Sequence, residues 1–408
     1  MELAESHRMK FALVSHVLPP SWSGQAVVLH RLLRALDPDC YCLISLQSYD
    51  PQAYKGDMSS RLKARYYCLN PGFRLGILQR FGLSGMRNWL QTYLRARQIF
   101  RIVKKDQSDA IIACTGNLYD LPAAYLASRW AGVRYFVYLF DDYFYQWPGP
   151  LERSFAQRWE RILIKEAVGV VVPNEFLYEE YRGRHGIEPV VIHNPCEELR
   201  KVWEEECPWP TDPWEIKIVY TGAVYHAHYD AFHNLIAAIP QLKGREIKLH
   251  LYTAQEPAEL ERERIKGAVV YHPHLSLTQI GEVQRRADIL FLPLAFVSAI
   301  PEVIKTSAPG KMGEYLSSGR PILVHAPADS FLTWYFKKYE CGVVVEQNNP
   351  AALTQAIQEL LRNVALRETL AKNALDCARR DFSPGKAGTE FLRLFQPIRE
   401  GQGCASSS

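Results

Sequence analysis

The stretch 298–324 concentrates the side chains best suited to holding a charged small molecule. Thr306, Ser307 and Lys311 precede or open a helical pattern near Gly310, and Glu314 follows Lys311 by three positions, so both fall on one helical face. Backbone N–H groups, hydroxyls and an ammonium together suit a diphosphate with no metal between them. A carboxylate one turn further on can accept hydrogen bonds from the two hydroxyls of a ribose. The plainer alternative is a surface Lys–Glu pair worth a few tenths of a kcal/mol.

Three smaller features add to this set. Gly24, in Ser23-Gly24-Gln25, comes at the start of a helical pattern, where a glycine lets backbone approach an anion. No GxGxxG run accompanies it, which argues against a nicotinamide dinucleotide. Thr221-Gly222 ends a short apolar run in the same manner. Asp141-Asp142 follows another, and a carboxylate there can act on an acceptor hydroxyl or stabilise charge on a sugar. The alternative is that Asp141 or Asp142 caps the next segment. The Asp-x-Asp spacing of a metal-binding pair is absent, and His226, His228 and His233 lack zinc spacing, so no metal is expected. Trp203, Trp209 and Trp214 read as packing, and Arg379-Arg380 as a solvated helix end.

The elements that must position these residues form two series. Apolar runs at 11–14, 42–46, 110–114, 135–140, 169–172 and 190–193 alternate with helical patterns, and Asn194-Pro195 closes the series. A second set follows at 217–220, 248–252, 268–271, 289–292, 321–324 and 342–345, with helices at 277–286 and 350–362. Such alternation predicts α/β architecture: two doubly wound parallel-sheet domains in tandem, with the ligand in the cleft between them. The expected division is 9–196 for the first domain, a Trp/Pro/Glu-rich connection at 197–213, and 214–382 for the second. A last helix at about 383–396 is expected to return to the first domain. Residues 1–8 and 397–408 are expected to be a loose overhang and a disordered tail.

The chain has 408 residues, of which 48% are hydrophobic and 23% charged, a globular composition that rules out disorder and low complexity. Its nine cysteines form no CxxC pair and read as reduced, buried side chains, so a cytoplasmic protein is expected. Residues 1–8 are polar and do not form a secretory signal. The longest apolar run, 289–300, falls short of the roughly 20 residues of a membrane span.

With its two sheets and Pro309-Gly-Lys-Met-Gly-Glu-Tyr-Leu-Ser-Ser-Gly-Arg-Pro-Ile322, the chain resembles the GT-B glycosyltransferases, and within them glycosyltransferase family 4. The segment 314–322 is similar to the second half of that family's Glu-x7-Glu element and the strand after it. The runs 287–293, 191–195 and 20–24 resemble other landmarks in the right order. The resemblance implies transfer of a sugar from a nucleotide-sugar, UDP- or GDP-linked, with retention and no bound metal or other cofactor. It implies that Glu314 holds the donor ribose, that Gly24 approaches the phosphate or sugar from the opposite domain, that Thr221-Gly222 begins the phosphate-facing loop of the second, and that Asp142, the match to a polar His-Asp-like pair of the family, is the catalytic carboxylate. The first Glu of the element would fall at 306, which is Thr; Ser307-Ala-Pro-Gly-Lys311-Met-Gly-Glu314-Tyr315 instead resembles a branch acting on bacterial surface polysaccharide or lipid-linked sugars. The family's Arg and Lys after the second domain's first strand are missing, so Lys311 is expected to supply the charge, with His228 as a minor contributor. The competing readings are a sugar-nucleotide epimerase or phosphorylase on the same fold, and a degenerate, non-catalytic binding subunit.

Charge adds a last clue. The formal net charge is +4, yet residues 58–105 contain eleven Lys and Arg and no acidic residue, leaving 37 basic against 44 acidic residues elsewhere. Apolar side chains are interleaved with the basic ones, a mixture suited to an anionic membrane surface. Nucleic acid is not expected, since no recognition motif is present. Arg87, Trp89, Arg95 and Arg97 are the expected acceptor- and membrane-side residues, on a protein peripheral to the inner face of the membrane that acts on a carbohydrate or lipid-linked acceptor.

Overall fold

The computed structural model describes residues 9–52, 54, 56–70, 84–197 and 209–395. The expected overhang and tail, Trp203, and most of the connection 197–213 lie outside these residues, as do Arg74 and Arg80 of the basic segment.

Two all-parallel sheets form the two lobes. The first runs β3(Arg65–Cys68)-β2(Tyr41–Ser45)-β1(Phe11–Val14)-β4(Ala110–Cys114)-β5(Arg134–Tyr138)-β6(Gly169–Val172)-β7(Val190–Val191). The second runs β10(Val269–His272)-β9(Glu246–Tyr252)-β8(Glu215–Thr221)-β11(Ile289–Pro293)-β12(Ile322–His325)-β13(Val343–Val345). The central strands β1, β4, β11 and β12 are buried at every position, because helices cover both faces. The strand absent from the sequence reading is β3, a half-exposed edge whose Arg-Tyr-Tyr-Cys lacks an apolar run.

Both sheets reverse strand order beside their first strand, between β1 and β4 and between β8 and β11, which places loops for ligands at those strand ends. The helix Pro384–Arg393 crosses back to the first lobe: Phe391 packs edge-on against Phe11 with ring centroids 5.9 Å apart, and Ala387 joins the same core. All seven cysteines among the described residues are free thiols.

Within the basic segment, the helix Ser84–Asp106 packs through Asn88, Thr92, Arg95, Ala96, Ile99 and Val103, which recur at helical spacing and are buried. Arg95 is therefore not on the membrane side. It pairs with buried Asp120, its guanidinium donates to Asn117 Oδ1 at 2.6 Å, and it lies over the Tyr119 ring. The opposite face carries Met86, Trp89 and Arg97 in solvent, with Trp89 58% exposed and stacked on Tyr93. Arg87 is half-buried beside Asn88. Trp130, 40% exposed, meets Tyr93 edge-on and extends this aromatic face. No helix among the described residues is long and apolar enough to cross a membrane.

Candidate active site

The helix Met312–Ser317 brings the second-lobe cluster together. Pro309 ends the preceding helix, Pro301–Thr306, so Thr306 and Ser307 sit at a helix C-terminus and not at the entrance of the next helix. The Thr306 hydroxyl donates to Glu302 O at 3.2 Å within its own helix, and the residue is buried. Its carbonyl accepts from Asn174 Nδ2 of the first lobe at 2.8 Å, and Ala308 O accepts from Asn194 Nδ2 at 3.0 Å. Two first-lobe amides thus hold the loop that leads to Lys311. Gly313 is required one residue beyond Met312: a Cβ there would lie 3.0 Å from Phe382 Cδ1 and 3.2 Å from Asn194 O.

Lys311 lies across the end of β8. Its ammonium donates to Tyr220 OH at 2.5 Å and sits 3.7 Å from the centre of the Tyr220 ring. Burial brings its pKa down to about 7, against the opposing pull of Glu314. Gly222, at φ +110°, leaves room beside it: a Cβ there would lie 3.4 Å from Lys311 Nζ. An ammonium in this setting is a strong receptor for added negative charge.

Glu314 is held from both lobes. One carboxylate oxygen pairs with Arg31 of the helix Gly24–Leu33, and the other accepts from Gln284 Nε2 at 3.2 Å. Gln284 also donates to Thr221 Oγ1 at 3.1 Å, and Thr221 N donates to Tyr315 OH at 3.0 Å. Thr221 is buried and belongs to this support, behind the glycine that follows it. His228, expected as a minor charge, is buried too, with Nδ1 3.4 Å from Tyr220 OH. Burial, then the nearby Lys311 charge, lowers its pKa well below the usual range, so it contributes no cation.

The first lobe faces this cluster through Gly24. Ser23 caps that helix by accepting from Ala26 N, and the Gly24 Cα lies 3.6 Å from where a Cβ on Gly310 would stand. Gln25 braces the turn by donating to Ser15 Oγ and Thr115 O, both at 3.0 Å. The seam continues to Trp22, stacked on His274 of the second lobe at 4.3 Å, beside a small pocket lined by Val27, His30, Asp57 and Ser276 among others.

Asp142 does not face the cleft. Its carboxylate accepts from Phe144 N and Tyr145 N at 2.9 Å each and pairs with Arg184, so it caps a turn. Asp141 is the carboxylate that solvent in the cleft reaches. It lies near enough to Tyr225 of the second lobe to raise the phenol's pKa, a shift led by burial and carried up to about 12. Partial desolvation by the protein around it, then the Asp142 charge beside it, pushes Asp141 itself up to about 6. Among the described residues no group of three or more His, Cys, Asp or Glu is placed to hold a metal ion.

The family of glycosyl transferases group 1 matches residues 215–363, and the glycosyl transferase 4-like domain matches residues 23–195. The chain belongs to the group 1 glycosyltransferases of the GT-B fold. These enzymes move a sugar from a nucleotide-sugar donor. Among solved structures the glycosyltransferase fold is similar to a glycosyltransferase from Rickettsia africae, at 14% identity and TM-score 0.68, covering 95% of this chain and 98% of that one. HepE from Anabaena, in complex with UDP-glucose, has 12% identity and TM-score 0.67 over 94% and 98%. The sucrose-phosphate synthase of Thermosynechococcus elongatus has 15% identity and TM-score 0.67 over 95% and 98%. No curated protein matches the chain significantly.

Arg31 and Asn174 reach the cluster from the first lobe and are not singled out by the sequence. Arg31 lies within an amphipathic pattern and reads as a solvated position. Asn174 reads as a helix cap, which it also is, since Oδ1 accepts from Leu177 N at 2.9 Å.

Proposed function

We propose that the glycosyltransferase moves a sugar from a UDP- or GDP-sugar to a hydroxyl of a carbohydrate or lipid-linked acceptor, with retention and without metal, in assembly of cell-surface polysaccharide or glycolipid. The observation that carries this reading is the juxtaposition of Lys311, Gly222 and Glu314 on one wall of the cleft with Gly24 on the other. On this reading the diphosphate sits against Lys311 and the glycine backbones, and Glu314 accepts from the ribose hydroxyls. The bond from sugar C1 to the β-phosphate oxygen breaks, and its electron pair leaves with the nucleoside diphosphate. The acceptor oxygen bonds to C1 on the same face and its proton passes to the departing phosphate. Lys311 stabilises the negative charge growing on the leaving group, and closure of the lobes excludes water. Asp141, in place of Asp142, faces the sugar and its developing positive charge.

The acceptor is proposed to lie at an anionic membrane surface, inside the cell. The exposed face of Met86, Trp89 and Trp130, flanked by Arg97 and Arg101, supports that placement. A degenerate, non-catalytic subunit is the second reading, favoured by one observation: the Thr306 hydroxyl is turned into its own helix where the family carries a glutamate.

A panel of nucleotide-sugars scored by thermal shift, followed by donor turnover, tests the proposal. A UDP-sugar is the first to try, since HepE is seen with UDP-glucose. One sugar nucleotide is expected to raise Tm, and Glu314→Gln to reduce that rise. Binding without turnover against any acceptor or water supports the degenerate subunit. No binding by any donor overturns the transferase reading and favours the degenerate subunit.

A further inference from the structure

Glu314 and Arg31 belong to different lobes, and Arg31 has no freedom of its own. The residue is 3% exposed, and its guanidinium makes contacts in three directions. Nη2 pairs with Glu314, Nη1 donates to Pro195 O at 2.9 Å, and Nε donates to Glu197 Oε1 at 3.3 Å. Pro195 ends the first lobe and Glu197 begins the connection to the second, and Arg34, at the C-terminal cap of the same helix, holds Glu197 as well, with Nη1 to Oε2 at 2.9 Å. Burial works against the Arg31 charge, but Glu314 and Glu197 outweigh it and raise its pKa. An arginine is needed for this geometry: its planar fork can serve three acceptors at fixed angles, and a lysine cannot.

The carboxylate it holds is not sealed. The Glu314 side chain remains 16% exposed, and each oxygen has given one lone pair, to Arg31 and to Gln284. Each oxygen retains a second acceptor site, so the carboxylate can still meet two hydroxyls side by side. Its orientation is fixed by one partner from its own lobe and one from the other. The pair can form only while the lobes are together, at the separation that also brings Gly24 against Gly310.

From this we infer that Arg31 is a positioning residue that makes the grip of Glu314 on the donor ribose conditional on lobe closure. The inference rests on the reading of Glu314 as the ribose acceptor. An open molecule leaves Glu314 with Gln284 alone and free to rotate; closure supplies the guanidinium that fixes it. Donor is thereby held tightly only when the first lobe, with its acceptor, has swung into place.

The test is calorimetric titration of UDP, GDP and their 2′-deoxyribose counterparts into the full chain, its Arg31→Met and Arg31→Lys variants, and Glu314→Gln. For the nucleotide that binds, the wild type is expected to prefer ribose over 2′-deoxyribose by about tenfold, the loss of one hydrogen bond to a charged group. Glu314→Gln and Arg31→Met are both expected to bring that ratio close to one, with Arg31→Lys between them and the wild type. The ratio compares two ligands on one protein, so a general loss of stability moves both affinities and leaves it unchanged. A preference retained in Arg31→Met, with Glu314→Gln having lost it, overturns the coupling while Glu314 keeps its role. No preference in the wild type, or one that survives in Glu314→Gln, defeats the ribose assignment and the inference with it. If Arg31→Met does not fold, a wild-type ratio in Arg31→Lys overturns the inference and a reduced one sustains it.

Discussion

Asp141 and Asp142 are consecutive carboxylates with opposite surroundings. Asp142 is 1% exposed and bound by Arg184 and two backbone N–H groups, whereas Asp141 opens into the cleft toward Tyr225. The backbone turn after β5 imposes this division, since only one of two successive side chains can reach back over the Tyr143–Trp147 turn.

Substitution should therefore separate them. Asp141→Asn is expected to lower kcat/KM about 100-fold with Tm nearly unchanged. Asp142→Asn removes one partner of a buried ion pair and is expected to cost about 3 kcal/mol. Urea unfolding and donor-turnover kinetics on both variants check this, and a stable but inactive Asp142→Asn would reverse the assignment.

The pH profile follows from two shifted groups. Asp141 must be ionised to favour a cationic transition state, so activity rises as pH passes about 6. Lys311 in the empty cleft loses its proton as pH passes about 7, and a diphosphate then binds only with proton uptake, so kcat/KM falls above that point. A narrow bell between these values is expected. Asp141→Asn should remove the acid limb, and Lys311→Arg should move the alkaline limb upward; a flat profile from pH 6 to 9 would contradict the role of Lys311.

Gly222 combines a positive φ with proximity to Lys311 Nζ. Gly222→Ala is expected to cost about 1–3 kcal/mol from backbone strain. It should also weaken nucleotide binding, because the methyl group takes the space beside the ammonium. Thermal unfolding and calorimetry with the donor that binds would measure both effects.

Membrane attachment is tested by sedimentation with anionic vesicles. Binding is expected at low salt and release at high salt. Arg97→Glu and Trp89→Ser should each weaken it about fivefold, corresponding to roughly 1 kcal/mol per contact near the surface. Arg95→Ala should instead destabilise the first lobe, because it strands buried Asp120. No binding to anionic vesicles at low salt would refute a membrane-side role for this helix.

Much of the fold was legible along the chain because central parallel strands must be apolar on both faces. The runs at 11–14, 110–114 and 289–292 announce β1, β4 and β11. The edge strand β3 had no such signal, since its side chains remain half in solvent. Lys311 and Glu314 were visible as a pair because three-residue spacing on a helix fixes a shared face.

What spacing could not supply was direction and distance between lobes. Sequence by itself determined two doubly wound sheets and the segment that brings Lys311 and Glu314 to a strand end. Only the tertiary structure decided which of two adjacent aspartates turns inward, that Arg95 is buried, that Thr306 closes one helix instead of opening another, and that Arg31 reaches across to Glu314. Hydrophobic periodicity records burial against an element's own lobe. A buried charge is justified by its partner, and here the partner of Arg31 lies 283 residues away on the other side of the cleft.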